Sequence, residues 1–128
     1  MHLADAVRDP VVTQRQVTFT REQIASYAEA SGDHNPIHLD GEFAKSVGLP
    51  GVIAHGMLQM GILATVAAEE AGGPGHLLRL SVRFAGMVEP GETITFTAQR
   101  IADGKLDLSA TNMQGEAVLT KASADYKP

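Results

Sequence analysis

The sequence predicts an α+β fold in which an antiparallel β-sheet curls around one buried helix. Three observations lead there. From Gly56 to about Ala71 the chain is apolar on nearly every helical face and ends in Glu69-Glu70, which suits a helix enclosed by protein. After Gly72-Gly73-Pro74-Gly75 the hydrophobic period changes to two. Leu78, Leu80, Val82 and Phe84 alternate with polar residues. Ile94, Phe96 and Ala98 follow, then Leu106, Leu108 and Ala110, and last the run Ala117 to Tyr126. Pro90-Gly91, Asp103-Gly104 and Gln114-Gly115 separate these runs as turns. A sheet with one apolar face needs cover and an apolar helix needs wrapping, so each satisfies the other.

The remaining elements read in order. Residues 1–10 show no clear periodicity, and within a single domain of residues 1–128 the stretch 1–15 is expected to be a loose N-terminal arm. Gln16-Val17-Thr18-Phe19 alternates as a short strand. Thr20-Arg21-Glu22-Gln23 reads as a capping box, with Thr20 as N-cap and Gln23 three residues on. Ile24, Tyr27 and Ala28 fall on one face of the helix it opens, and Gly32 ends that helix. A second, short helix is expected from about Gly41 to Val47, before the breaker Gly48-Leu49-Pro50-Gly51. The methionines of the long helix read as core filler.

Composition narrows the function. No run reaches the roughly 18–20 apolar residues of a membrane span. Met1-His2-Leu3-Ala4-Asp5 lacks the basic start and apolar run of a signal peptide, so a cytoplasmic location is expected. With no cysteine, disulfides, thiolate chemistry and cysteine-based zinc sites are excluded. A formal net charge of -5 argues against nucleic acid or an anionic membrane as a partner.

The chemistry is concentrated in Ser31-Gly32-Asp33-His34-Asn35-Pro36-Ile37-His38-Leu39-Asp40. Asp33 and His38 are five residues apart, which at helical pitch is a turn of about 500° and points them apart. On a strand the odd separation sends them to opposite faces. Gly32 permits φ > 0 and Pro36 pushes Asn35 out of the helical region, so the chain must bend irregularly. Such a bend brings an acid and an imidazole together, as acid–base chemistry requires. Two other readings stand beside it. Asp33 and Asn35 are turn formers in their own right. His34 and His38 have the i, i+4 spacing of metal ligands with Asp40 nearby, although Pro36 spoils the helix that would align them.

Taken together, Tyr27-Ala28, Ser31-Gly32-Asp33, Asn35-Pro36-Ile37-His38-Leu39-Asp40 and the later Ala54-His55-Gly56-Met57-Leu58 resemble the hydratase-2 motif of MaoC-like proteins. That family includes (R)-specific enoyl-CoA hydratases and (3R)-hydroxyacyl-ACP dehydratases of the hot-dog fold. Glu42, Ala44-Lys45, Val47-Gly48-Leu49 and Ile53 to Gly61 make the chain look most similar to the catalytic subunit of heterodimeric dehydratases. The resemblance covers about residues 17–125 and implies interconversion of trans-2-enoyl and (3R)-hydroxyacyl thioesters. It implies Asp33 and His38 as the proton-exchanging pair, Asn35 as an orienting residue, and the backbone N–H of Gly56 as the donor to the thioester oxygen. Glycine at 56 would also let the thioester approach the backbone. No metal or redox cofactor is implied; CoA or phosphopantetheine enters as part of the substrate.

Some members carry a serine about one turn into the long helix, where this chain has Gly61-Ile62-Leu63-Ala64. That departure favours the dehydratase-like branch. A homodimer, or a heterodimer with another hot-dog subunit, is the implied assembly. Arg79, Arg83, Arg100, Lys45 and Lys121 are candidates to meet a carrier's negative charge, whether CoA or an acyl carrier protein. Two alternatives stay open: an acyl-CoA thioesterase, and a non-catalytic partner subunit that binds acyl chains. His55 reads equally as a second layer behind the site or as a satisfied structural histidine.

Overall fold

A computed structural model describes residues 12–128. Five strands, β1 (Val12–Thr18), β2 (Leu77–Phe84), β3 (Thr93–Ala102), β4 (Lys105–Thr111) and β5 (Ala117–Tyr126), form one sheet in the order β1-β3-β4-β5-β2. Every neighbouring pair is antiparallel. Three α-helices are described: α1 (Arg21–Ser31), α2 (Gly41–Ser46) and α3 (Gly56–Ala71). No helix among the described residues is long and apolar enough to cross a membrane.

The alternation of β3 is obeyed residue by residue: Ile94, Phe96 and Ala98 are buried beneath α3, while Thr93, Thr95 and Thr97 line the opposite face. The two-residue link Asp103-Gly104 joins β3 to β4, and Gly104 supplies the positive φ (80°) that the tight turn needs. β2 follows its pattern less closely. Leu80 and Val82 are half-buried, but Leu78 and Phe84 are largely exposed. β2 lies at the sheet edge, pairs only with β5, and its register shifts twice along that pairing.

The loose-arm expectation for residues 1–15 needs correction within the described part. The strand starts at Val12 and ends at Thr18, so residues 12–15 are sheet and Phe19 lies just beyond it. Residues 1–11 lie outside the described residues. The strand was hidden because β1 is polar on both faces. Thr13 and Arg15 share the helix side with Val17, while Gln14, Gln16 and Thr18 meet Thr97, Thr95 and Thr93 through cross-strand side-chain hydrogen bonds.

α3 also departs from the picture of a helix enclosed on all sides. Gln59, Leu63, Val66, Ala67 and Glu70 face the sheet and are buried, whereas Met57, Gly61, Thr65 and Glu69 form an exposed stripe. Five strands cover one side of a helix, and apolar composition does not reveal which side stays open.

Glu70 is held by two strands. Its carboxylate accepts from the Thr13 hydroxyl of β1 at 2.7 Å and pairs with the Arg100 guanidinium of β3 at 3.3 Å. Arg100 also donates to the Glu70 carbonyl at 2.8 Å and lies over the Tyr126 ring of β5. The pair anchors the end of α3 opposite Gly56. Removing one partner leaves the other desolvated, and the partial exposure of Arg100 moderates that penalty. Glu70→Ala is therefore expected to lower unfolding free energy by about 2–3 kcal/mol, read as a lower midpoint in urea at unchanged m.

Candidate active site

The bend between α1 and α2 is built from side chains that cap and turn. Thr20 caps α1 by accepting from the Gln23 N–H at 3.0 Å, which is one half of the expected capping box; the return bond is not made, as Gln23 Oε1 has no partner among the described residues. At the other end Gly32 takes φ 78°, and its N–H closes on the Ala28 carbonyl. The Asp33 N–H donates to Ser31 Oγ, and Asp33 Oδ1 accepts from the Asn35 N–H at 3.2 Å. Asn35 Oδ1 in turn accepts from the Ile37 N–H, capping a single 3₁₀ turn, Pro36–His38, that delivers His38 inward. The turn role of Asp33 and its nearness to His38 are compatible, since its two carboxylate oxygens point to different neighbours. Oδ1 shapes the turn, and Oδ2 faces His38.

His38 is buried and its orientation is fixed. Nδ1–H donates to the Ile53 carbonyl at 2.7 Å, because a carbonyl can only accept. Nε2 then lies 3.9 Å from Asp33 Oδ2. That is too long for a direct hydrogen bond, and it leaves room for both atoms to contact one small oxygen. The segment around Ile53 is itself pinned, by Ile53 N–H to the Ile37 carbonyl (3.2 Å) and Ala54 N–H to the Val88 carbonyl (2.8 Å).

Asp33, His38, His55 and Gly56 border a cavity of about 380 Å³ whose remaining walls include Ile37, Ile53, Met57, Phe84 and Met87. Polar groups therefore cluster beside an apolar space, the usual make-up of a small-molecule site. Asn35 does not line the cavity; it acts on the site by capping the turn that carries His38. Gly56 is the first residue of α3, and His55 at the N-cap makes no side-chain capping bond. In α2, by contrast, Asp40 accepts from the N–H groups of Glu42 and Phe43. The start of α3 offers first-turn N–H groups and a positive dipole end at the cavity wall. A Cβ at position 56 would lie 3.0 Å from the Phe84 ring, so a larger residue there requires that half-exposed ring to shift by a few tenths of an ångström.

The metal reading does not assemble around His34, which faces Glu29 at 3.4 Å, or around Asp40, which caps α2. Asp33, His38 and His55 do each offer a ligand atom within 4.8 Å of one another. The two imidazoles, however, are stacked with centroids 3.7 Å apart and planes tilted by 20°. Ring lone pairs lie in the ring planes, and planes so nearly parallel do not meet within a metal–nitrogen bond of about 2.0–2.1 Å. A separate groove of about 440 Å³ along the far half of α3, lined by Ala64, Ala68, Pro74 and Leu77, contains no acid–imidazole pair.

Two further residues border the site, His55 from the second motif and Gln59, which no motif marks. Gln59 is buried against the cavity with its Oε1 unpartnered, and His55 is buried with its Nδ1 unpartnered. An amide one turn after Gly56 on an otherwise apolar helix was the available hint for Gln59. Of the candidate cations, Arg100 serves Glu70, and Arg79 sits opposite Asp125, which Lys105 already binds at 2.7 Å. None of Arg79, Arg83, Arg100, Lys45 and Lys121 lines the cavity.

Residues 3–122 match the family described as MaoC like domain. A Dictyostelium discoideum protein named "Probable enoyl-CoA hydratase 2" is 34% identical over 124 residues, covering 94% of this chain and 42% of its own length. The "3-hydroxyacyl-thioester dehydratase X" of Mycobacterium tuberculosis is 43% identical over 95 residues, covering 73% of this chain and 32% of its own. The chain thus spans less than half the length of these curated relatives. The (R)-hydratase of A. caviae superposes with a TM-score of 0.81 at 24% identity, over 97% of this chain and 98% of that one, which establishes a shared fold. With a hot-dog sheet packed on one long helix and a family match across nearly its whole length, the chain belongs to the MaoC-like domain family.

Proposed function

We propose that this chain is a hydratase/dehydratase that interconverts trans-2-enoyl and (3R)-hydroxyacyl thioesters. The observation that carries the reading is the pair of Asp33 Oδ2 and His38 Nε2, 3.9 Å apart at the polar end of an apolar cavity beside the uncapped start of α3. The names of the two relatives agree with this chemistry. In hydration, a water held by Asp33 and His38 forms the C3–O bond while the C2–C3 π bond breaks. One member of the pair takes the water's proton and the other delivers a proton to C2, so the pair returns to its starting proton count. Negative charge that develops on the thioester oxygen is met by the Gly56 N–H. Dehydration is the reverse. Nothing in this sequence of steps calls for a redox group or a metal.

The proposal extends to the setting. The chain works in a dimer, with a second copy or another hot-dog subunit, because β2 ends the sheet with Leu78 and Phe84 largely exposed and an edge of that kind favours pairing. The carrier is CoA or an acyl carrier protein, and the location is cytoplasmic. The test is to add purified protein to crotonyl-CoA and follow enoyl absorbance, free thiol and product chirality together. Loss of absorbance without thiol release, giving the (3R) product, is the expected result. Thiol release would establish a thioesterase instead.

A further inference from the structure

Building on the Asp33/His38 reading, we propose that His55 is a positioning residue that sets the separation and orientation of that pair. His55 is buried, and three contacts define its place. Its Nε2–H donates to the backbone carbonyl of Asp33 at 3.1 Å. Its ring lies flat on the ring of His38, with centroids 3.7 Å apart. Tyr27 of α1 meets it edge-on at 4.8 Å.

These contacts make the short segment 53–55 a template for the site. The Ile53 carbonyl takes the Nδ1–H of His38, and two residues later the His55 side chain takes the main chain of Asp33. The next residue is Gly56, at the start of α3. Acid, imidazole and backbone donor are therefore all referenced to one stretch of chain, although Asp33 itself sits on a half-exposed bend. Without His55, the Asp33 side of the bend keeps only its local turn bonds to Ser31 and Asn35 and loses its tie to the His38 side.

A histidine that merely filled space would be replaceable by any side chain of similar size. A positioning histidine works through two separable features, the N–H donor and the flat ring. His55→Gln keeps an N–H donor and loses the stack; His55→Phe keeps the ring and loses the donor; His55→Ala loses both. In the full chain with crotonyl-CoA, the Gln and Phe variants are expected to lower kcat by about 10–100-fold with KM little changed, and the Ala variant to fall furthest, since small misplacements cost rates of that order. The His38 ring protons should shift downfield in the Gln and Ala variants, which lose the stacked ring, and stay in place in the Phe variant.

Near-native kcat in folded Gln and Phe variants overturns the proposal. So does a loss of activity that only tracks the loss of folded protein in thermal melts. If the wild type fails to hydrate the thioester, the proposed reaction is what fails. The ring protons then decide the positioning alone, and an unmoved His38 resonance in the Ala variant overturns it.

Discussion

Replacing His38 with alanine is expected to lower kcat/KM for enoyl-thioester hydration by about 10²–10⁴-fold, the usual contribution of a positioned acid or base. The imidazole has one nitrogen committed to the Ile53 carbonyl and the other turned to Asp33, so it enters the site already oriented. Asp33→Asn should cause a loss on the same scale while retaining the Oδ1 bond to the Asn35 N–H and therefore the bend. The two effects should not add, because in the proposed reaction neither group completes a proton transfer cycle without the other. The alanine variant also leaves the Ile53 carbonyl without its donor, an expense of about 1–3 kcal/mol in stability. Melting curves must therefore accompany the rates. Asp33→Asn at wild-type rate would remove Asp33 from the chemistry and leave His38 in search of another partner.

The bend was legible because glycine and proline constrain backbone whatever surrounds them. Gly32 takes the left-handed conformation, and Pro36 opens the turn that carries His38. The β3 strand was legible because one of its faces is apolar and the other is threonine. What stayed hidden depends on partners far along the chain. β1 is stabilised by backbone pairing to β3 and by side-chain bonds to threonines about eighty residues away, which no local period reveals. Glu70 reads as a polar stop to a helix, yet Thr13 and Arg100 bury it. His55 reaches the Asp33 carbonyl, and a contact to backbone leaves no trace in the residue type of the accepting end. The capping role of Asn35 was open to view as a turn signal, but only the fold shows that its oxygen serves the turn rather than the cavity.

Leu63→Ala is expected to cost about 2–5 kcal/mol, a large share of the roughly 5–15 kcal/mol that holds a domain of this size together. Leu63 is completely buried on the sheet-facing stripe of α3, so truncation removes apolar contacts and leaves a cavity that the sheet fills only in part. Met57→Ala, on the open side of the same helix, should change stability by no more than about 0.5 kcal/mol. The contrast tests which side of α3 the sheet covers, something its apolar composition could not tell. It also separates seating from chemistry. Leu63 lies two turns, about 10 Å, from Gly56 along the helix axis. Below its lowered melting point the Leu63→Ala variant should therefore retain kcat within about tenfold, where folded His38→Ala does not. A Leu63→Ala cost under about 1 kcal/mol would mean that α3 is not seated on the sheet as described. The placement of the Gly56 N–H beside Asp33 and His38 would fall with it, because that seat is what fixes the start of the helix at the cavity.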